Sequence, residues 1–478
     1  MNHKKICSIL FLSTAILTLS ALTGCGKQAD QTEDVEPMEA EEVHSYSFDI
    51  IGGKDVMPIG GYYGPYLPQH SYGGSTQPST LTEEWYQAVA DCGINFLSSS
   101  QIDYASSPDS VMEMLDLAAK YHIAQTVTDS NLMTGYDFTT EQAVETMKSY
   151  MTHPGFAGVF LYDEPGNAEY ISYRTQLSQL ANLSTVLNTD LGLYVYDNLS
   201  GADLDKAAAF ASYVKEYCET QNQKVLSYDK YPDFSPESAT YDFTSDFWCM
   251  AMIRQYAEEY DLPWWGFVAA GGQWNDDADY IESTEYYPDE GETYWCANMN
   301  LAFGAKGISW FAVSQPYYFA YGPEEGSYDF ERNCLIGAWG NKNRWYYYAQ
   351  NMNKQIAAVD EVLMNSVSKG ILATGDAIDQ MSEINEDHYV DSSVILPGSS
   401  WRELTDISGD TVVGCFNYQG KTALYVVNYK WDYAQKVDLT FAKEYNVKVI
   451  QDAETSYVKG DGMTLDLAAG TGALLVFE

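Results

Sequence analysis

Short apolar runs alternating with longer amphipathic segments predict a (β/α)8 barrel, and a change of period near the end predicts a small all-β sandwich after it. Two observations carry the barrel. From about residue 50 to 360 the alternation repeats eight times, the pattern of parallel strands joined by crossover helices. Residues 158–165 read Gly-Val-Phe-Leu-Tyr-Asp-Glu-Pro, a continuous apolar run of the kind buried on both faces, stopping on two acids. The size and order fit a barrel, with a doubly wound open sheet as the competing arrangement.

The eight strands are placed at Val56–Tyr62, Ile94–Ser98, Ile123–Thr128, Gly158–Tyr162, Leu191–Tyr196, Val225–Tyr228, Trp264–Ala270 and Gly307–Ala312. Helices fill the intervals at Thr82–Cys92, Asp109–Tyr121, Thr140–Met151, Glu169–Leu187, Ala202–Glu219, Ser245–Glu259 and Gly291–Phe303, with a last one near Trp339–Val359. In the second of these, Val111, Met114, Leu115 and Ala118 fall at the i, i+3, i+4, i+7 spacing of a core-facing stripe. Past about residue 370, Thr411–Phe416, Thr422–Asn428, Lys436–Phe441, Asn446–Ile450, Thr464–Leu467 and Gly472–Phe477 read as short strands, broken by turns such as Tyr418-Gln419-Gly420 and Gly460-Asp461-Gly462. The barrel therefore spans residues 49–365 and the β domain residues 370–478.

Ahead of the barrel, Lys4-Lys5 and the apolar run Ile6–Leu22 read as a secretory signal. It ends in Leu22-Thr23-Gly24-Cys25, which resembles the lipobox of bacterial lipoproteins. That resemblance implies cleavage after residue 24, a lipid on the Cys25 sulfur and a location on the outer face of a bacterial membrane; a plain signal peptide is the alternative. Residues 25–48, with Glu33-Asp34-Val35-Glu36 and Glu39-Ala40-Glu41-Glu42, read as an acidic, self-repelling tether.

Lys and Arg number 25 against 68 Asp and Glu, a formal charge of −43. No basic stripe exists to neutralise phosphates, sulfates or uronates, which excludes nucleic acid and anionic glycans as partners. After Cys7 and Cys25, the cysteines at 92, 218, 249, 296, 334 and 415 are scattered without ligand spacing. They read as small buried apolar side chains. No His-x-His or His-Glu-x-x-His pair occurs, so no metal is implied, nor any cofactor. No Gly-x-Ser-x-Gly elbow supports a peptidase or esterase.

Barrels carry chemistry at the C-terminal ends of their strands. Those ends here bear Tyr62, Tyr63 and Tyr66, then Asp129, Asp163 and Glu164, Tyr196-Asp197-Asn198, Tyr228-Asp229-Lys230-Tyr231-Pro232, Gln273 and Trp274, and Trp310 and Phe311. Rings stack on the C–H faces of sugars while carboxylates and amides bond their hydroxyls, so this composition suits a neutral carbohydrate. Asp163, Tyr62, Asp129, Asp197, Tyr228, Gln273 and Trp310 are the expected binding residues, with the structuring of loops as the alternative role for Asp129 and Asp197. Cleaving a glycosidic bond takes two carboxyls, one of them protonated. Glu164 is the expected acid, because an adjacent acid and burial both disfavour its ionisation. The competing reading makes Asp163-Glu164-Pro165 a helix start.

Tyr162-Asp163-Glu164-Pro165 is similar to the Asn-Glu-Pro motif of the large retaining clan of (β/α)8 glycoside hydrolases that includes β-galactosidases and cellulases. The resemblance implies that Glu164 is the acid/base, that Asp163 stands where the clan's asparagine binds the sugar 2-hydroxyl, and that Trp310 is its aromatic after strand eight. The β domain also looks like those that follow such barrels. The sequence departs from the clan at its nucleophile: Phe267-Val268-Ala269-Ala270-Gly271-Gly272-Gln273 offers no acid at the end of strand seven. Asp229, after strand six, is the expected substitute, with Glu282 and Glu285 as weaker ones. The implied activity is hydrolysis of neutral glycans at the cell surface. The missing acid leaves a second reading, an inactive barrel that captures glycans for uptake.

Overall fold

The computed structural model describes residues 35–70, 76–98, 101–133, 138–165, 180–234, 241–271, 273–274, 284–286, 288–314, 334–337 and 339–478. Eight parallel strands close into a barrel: β1 (Ile59–Gly61), β2 (Phe96–Leu97), β3 (Ala124–Thr128), β4 (Phe156–Asp163), β5 (Tyr194–Ser200), β6 (Leu226–Asp229), β7 (Trp264–Ala269) and β8 (Ile308–Phe311). Each expected strand overlaps an observed one. The largest shift is in β5, which starts at Tyr194 because the chain before it leaves a π-helical turn over Thr185–Asp190, and which runs on to Ser200 because Asp197 and Asn198 still pair with β4.

Around the barrel lie α1 (Glu83–Asp91), α2 (Pro108–Lys120), α3 (Thr140–Met147), α4 (Ala207–Gln221), α5 (Thr244–Glu259), α6 (Glu290–Ala302) and α7 (Arg344–Met364). Val111, Met114, Leu115 and Ala118 of α2 are buried, the stripe the spacing predicts. The helix expected over Glu169–Leu187 falls largely outside the described residues.

Strand alternation sorts the barrel side chains into two layers. Leu97, Val127, Val159, Val195, Leu226, Trp264 and Ile308 face the helices. Phe96, Ala124, Phe160, Tyr194, Tyr196, Val225, Trp265 and Phe267 fill the interior. The N-terminal end of that interior is closed by Phe48, stacked on Phe96 at 5.1 Å and edge-on to Tyr194 at 5.4 Å, and by Tyr46, stacked on Tyr194 at 5.3 Å. This corrects the expectation that the tether reaches residue 48. From Val35 onward the chain lies on the folded body: the Asn417 amide donates to the Glu39 carbonyl at 2.7 Å and Lys369 pairs with Glu41 at 2.6 Å. Net acidity indicated a solvated segment, but two aromatic side chains found partners on the barrel floor.

The C-terminal strands are β9 (Ser366–Thr374), β10 (Leu404–Ile407), β11 (Thr411–Tyr418), β12 (Lys421–Asn428), β13 (Gln435–Gln451), β14 (Glu454–Leu467) and β15 (Gly472–Phe477). They pair antiparallel in the order β9-β11-β12-β15-β13-β10, with β14 on β13. The two long strands slip register between Thr440 and Tyr445, which lets the sheet fold over its own core of Leu372, Val413, Leu424, Val437, Leu465 and Leu475. Its other face meets α6. Trp295 Nε1 donates to the Tyr429 carbonyl at 2.8 Å, Tyr425 Oη to Asn298 Oδ1 at 2.5 Å, and a Cβ on Gly414 would lie 2.2 Å from the Ala302 carbonyl. Only glycine permits that approach.

Candidate active site

Two backbone irregularities at the end of β4 aim its acids. Phe160 pairs with Tyr196 but Tyr162 pairs with Asp197, so β4 carries one extra residue, a β-bulge. Leu161 and Tyr162 both pack toward the helices as a result. Asp163, which strict alternation would turn outward, lies opposite Asn198. Glu164 then takes a left-handed conformation, φ +47°, with its N–H donating to the Asn198 carbonyl at 2.7 Å. Left-handed backbone is costly for a residue with a side chain and collects at functional sites. Neighbouring residues of an extended strand point opposite ways; here both contribute to one acid cluster.

The cluster draws on four strands. Tyr62, just past β1, donates its hydroxyl to Asp163 Oδ2 at 2.6 Å. Asn198 of β5 hydrogen-bonds both Asp163 and Asp229. Its own Oδ1 accepts from Ser227 Oγ of β6 at 2.9 Å, which leaves the amide N–H groups for the acids. Asp229, the last residue of β6, hydrogen-bonds Glu164 through its carboxyl. Its backbone carbonyl accepts from Gly201 N–H at 2.7 Å. Two acids from different strands are thus in direct contact.

A hydrogen bond between carboxyls needs one proton. Burial, then repulsion from Glu164 and Asp163, hold Asp229 well above the usual carboxylate range. Asp163 retains a solvent face, and its displacement is smaller. Loss of hydration pushes it up, Tyr62 opposes this, and repulsion from Glu164 adds to it, leaving Asp163 at about 6.

Rings surround these acids. Tyr62 lies 5.7 Å from Phe311 and 5.8 Å from Phe267, Phe160 stacks on Tyr196 at 5.0 Å, and Tyr231 stands 5.7 Å from Phe311. The Tyr231 hydroxyl is enclosed without a hydrogen-bond partner, and burial, then repulsion from Asp229 and Asp163, make it hard to ionise.

Four residues expected at the mouth lie elsewhere. Asp129 accepts from Tyr150 Oη at 2.8 Å and from Asn131 N–H at 3.1 Å, so it holds a turn. Asp197 is buried behind β5, where Gln223 donates to it at 2.7 Å. Burial raises it to about 7, against the bonds from the Tyr162 backbone and Gln223. Tyr228 packs toward the helices, 5.9 Å from Trp264. Trp310 does the same, with Nε1 donating to Asn353 at 2.9 Å. The reason is common to all of them: the strand end was located correctly, but the facing of each side chain depends on parity, and a one-residue offset turns it over. At β8 the ring at the mouth is Phe311. The side chains of Gln273, Glu282 and Glu285, and Cys25, lie outside the described residues.

Asn198, Ser227, Tyr231 and Phe311 carry parts of the site that the sequence reading did not assign. A weak signal for Asn198 existed in the run Tyr196-Asp197-Asn198, where the inward tyrosine fixes the asparagine, two residues on, to the same face. β7 runs into Ala270-Gly271 without an acid. Among the described residues no group of three or more His, Cys, Asp or Glu is arranged to hold a metal ion.

Fold and site together define a (β/α)8 barrel with an acid pair at its mouth and an antiparallel β domain behind it. No protein-family model matches the chain, and no curated protein matches it in sequence. Solved structures do. A glycoside hydrolase family 5 structure from Bacteroides vulgatus ATCC 8482 superposes with a TM-score of 0.50 at 11% identity, covering 88% of this chain and 88% of that one. Another described as a glycoside hydrolase gives 0.49 at 13% identity, covering 92% of this chain and 96% of that one. At such identity the likeness is one of fold.

Proposed function

We propose that this protein hydrolyses glycosidic bonds of a neutral glycan, with Glu164 and Asp229 as the two carboxyls. The observation that carries the reading is their direct hydrogen bond across β4 and β6 within a ring of aromatic side chains. In the empty site the proton rests on Asp229. As a glycosidic oxygen docks, that proton first passes from Asp229 to Glu164, and Glu164 then delivers it to the leaving oxygen, so that both carboxyls end ionised. The C–O bond to the leaving group breaks, and Asp229, now ionised, forms a bond to the sugar carbon. Water then attacks that carbon, giving its proton to Glu164 and releasing Asp229. Carboxyls in contact fit the short spacing of retaining enzymes better than the roughly 6.5–9.5 Å that an inverting water requires.

The β4 bulge and the bond from Tyr62 support Asp163 as a sugar-binding group beside this pair. The glycan-capture reading loses ground, because β6 supplies the acid that β7 lacks. On a panel of aryl glycosides and neutral oligosaccharides, Glu164→Gln and Asp229→Asn should each lower turnover about 100- to 10,000-fold, the range of general acid–base catalysis. Turnover within a few fold of the parent in either variant would refute the pair.

The surface location is part of the same reading, resting on the lipobox-like Leu22-Thr23-Gly24-Cys25. No described helix is long and apolar enough to cross a membrane. In a bacterial host, Cys25→Ala should move the protein from the membrane fraction to a soluble one; an unchanged fractionation would remove the lipid anchor.

A further inference from the structure

A hollow of about 630 Å³ opens on the outside of the barrel against α1, the end of α2 and the segment that follows β8. It shares no lining residue with the acid cluster, whose catalytic pair sits on β4 and β6. Its size is that of a small-molecule site.

Trp339 stands on its rim, 58% exposed. Tryptophan is usually well buried, and an exposed one marks a contact surface more often than a defect. The backbone holds it out deliberately: Ile336 and Lys342 form an antiparallel bridge, Gly337 N–H donates to the Asn341 carbonyl at 2.8 Å, and Gly340 N–H to the Gly337 carbonyl at 2.9 Å. Gly340 takes φ +80° to close this turn. The same lining is rich in acceptors. Tyr121 Oη donates to Glu83 at 3.2 Å, Gln87 Nε2 to Asp91 at 2.7 Å, and Glu84 lies alongside.

One broad apolar face beside several hydrogen-bond acceptors matches a ligand with C–H faces and many hydroxyl donors. The lining is close to charge balance, since Glu83 pairs with Lys120 and Lys342 lines the same hollow as Glu84 and Asp91. Neither a strong anion nor a strong cation is favoured, while a purely apolar peptide would strip these groups of water without replacing it. We propose that this hollow is an accessory binding site for a neutral glycan, stacking a sugar ring on Trp339 while the polymer is processed at the barrel mouth. It rests on the glycan reading above, and adds a second point of attachment that raises the local concentration of substrate.

The test uses full-length Glu164→Gln protein, which should leave the polymer uncut, in native gels cast with β-glucan, galactomannan or arabinogalactan. At least one polymer should retard it, and Trp339→Ala in the same background should weaken retention about tenfold or more, while Trp339→Phe keeps most of it. In the otherwise unmutated protein, Trp339→Ala should leave turnover of a small aryl glycoside unchanged. Retention that survives Trp339→Ala, or no retention in any gel, overturns the accessory site. Aryl glycoside turnover decides the hydrolase reading separately.

Discussion

The two ends of the barrel are built from the same alternating strands and do opposite things. At the N-terminal end Phe48, Phe96, Tyr194 and Trp265 pack into an aromatic plug, some rings stacked and some edge-on. At the C-terminal end Asp163, Glu164 and Asp229 are forced together, at the cost of a left-handed residue, a bulge and carboxyls displaced from their ordinary range. One end lowers the free energy of the fold, while the other stores unfavourable electrostatics for use. Stability and activity should therefore separate along the barrel axis.

The sharpest way to break that contrast is at Asp229. Asp229→Asn, besides losing turnover, should melt close to the parent, because the amide can still donate to Glu164 as the carboxyl–carboxyl hydrogen bond does; a fall of many degrees would mean the cluster is structural. Trp265→Ala should do the reverse. Emptying this 2% exposed position should destabilise by about 3–5 kcal/mol, read as a lower midpoint in urea, with turnover of the folded fraction retained.

Ser227→Ala tests orientation alone. Losing the bond to Asn198 Oδ1 frees the amide that contacts both acids. Turnover should fall about 2- to 12-fold, the worth of one hydrogen bond, with KM less affected and Ser227→Thr partly restoring it. A pure packing role would lower the melting temperature and spare kcat.

The smallest expected effect is on the pH dependence of stability. Asp163 at about 6, Asp246 at about 6 and Asp197 at about 7 all bind protons more tightly folded than unfolded. Their contribution is most favourable at low pH and declines as pH rises from about 4 through 7. Asp163→Asn removes one of them, so its melting temperature should match the parent near pH 4.5 and exceed it slightly above pH 6. Parallel curves from pH 4.5 to 8 would show that Asp163 is not displaced.

Much of this could be read before any coordinates. The apolar run Val159-Phe160-Leu161 lies within a central strand, and Glu164 and Asp229, expected at the ends of strands four and six, touch. Facing was harder: Asp197 and Trp310 sit one residue from positions that point inward. β9 was missed because Ser366-Val367-Ser368-Lys369-Gly370 carries little alternation; its pairing with β11 makes it a strand. Net acidity hid the packing of Tyr46 and Phe48, since composition averages over the two residues that matter.

The amino-acid order by itself determined the alternation of elements, the place of each strand end and the presence there of acids and rings, because backbone periodicity and burial act over a few residues at a time. Which of those acids meet was settled only in three dimensions. The bulge at Leu161 and the left-handed Glu164 exist because the β5 backbone and Asn198 hold them, and contacts across strands dozens of residues apart leave no local trace.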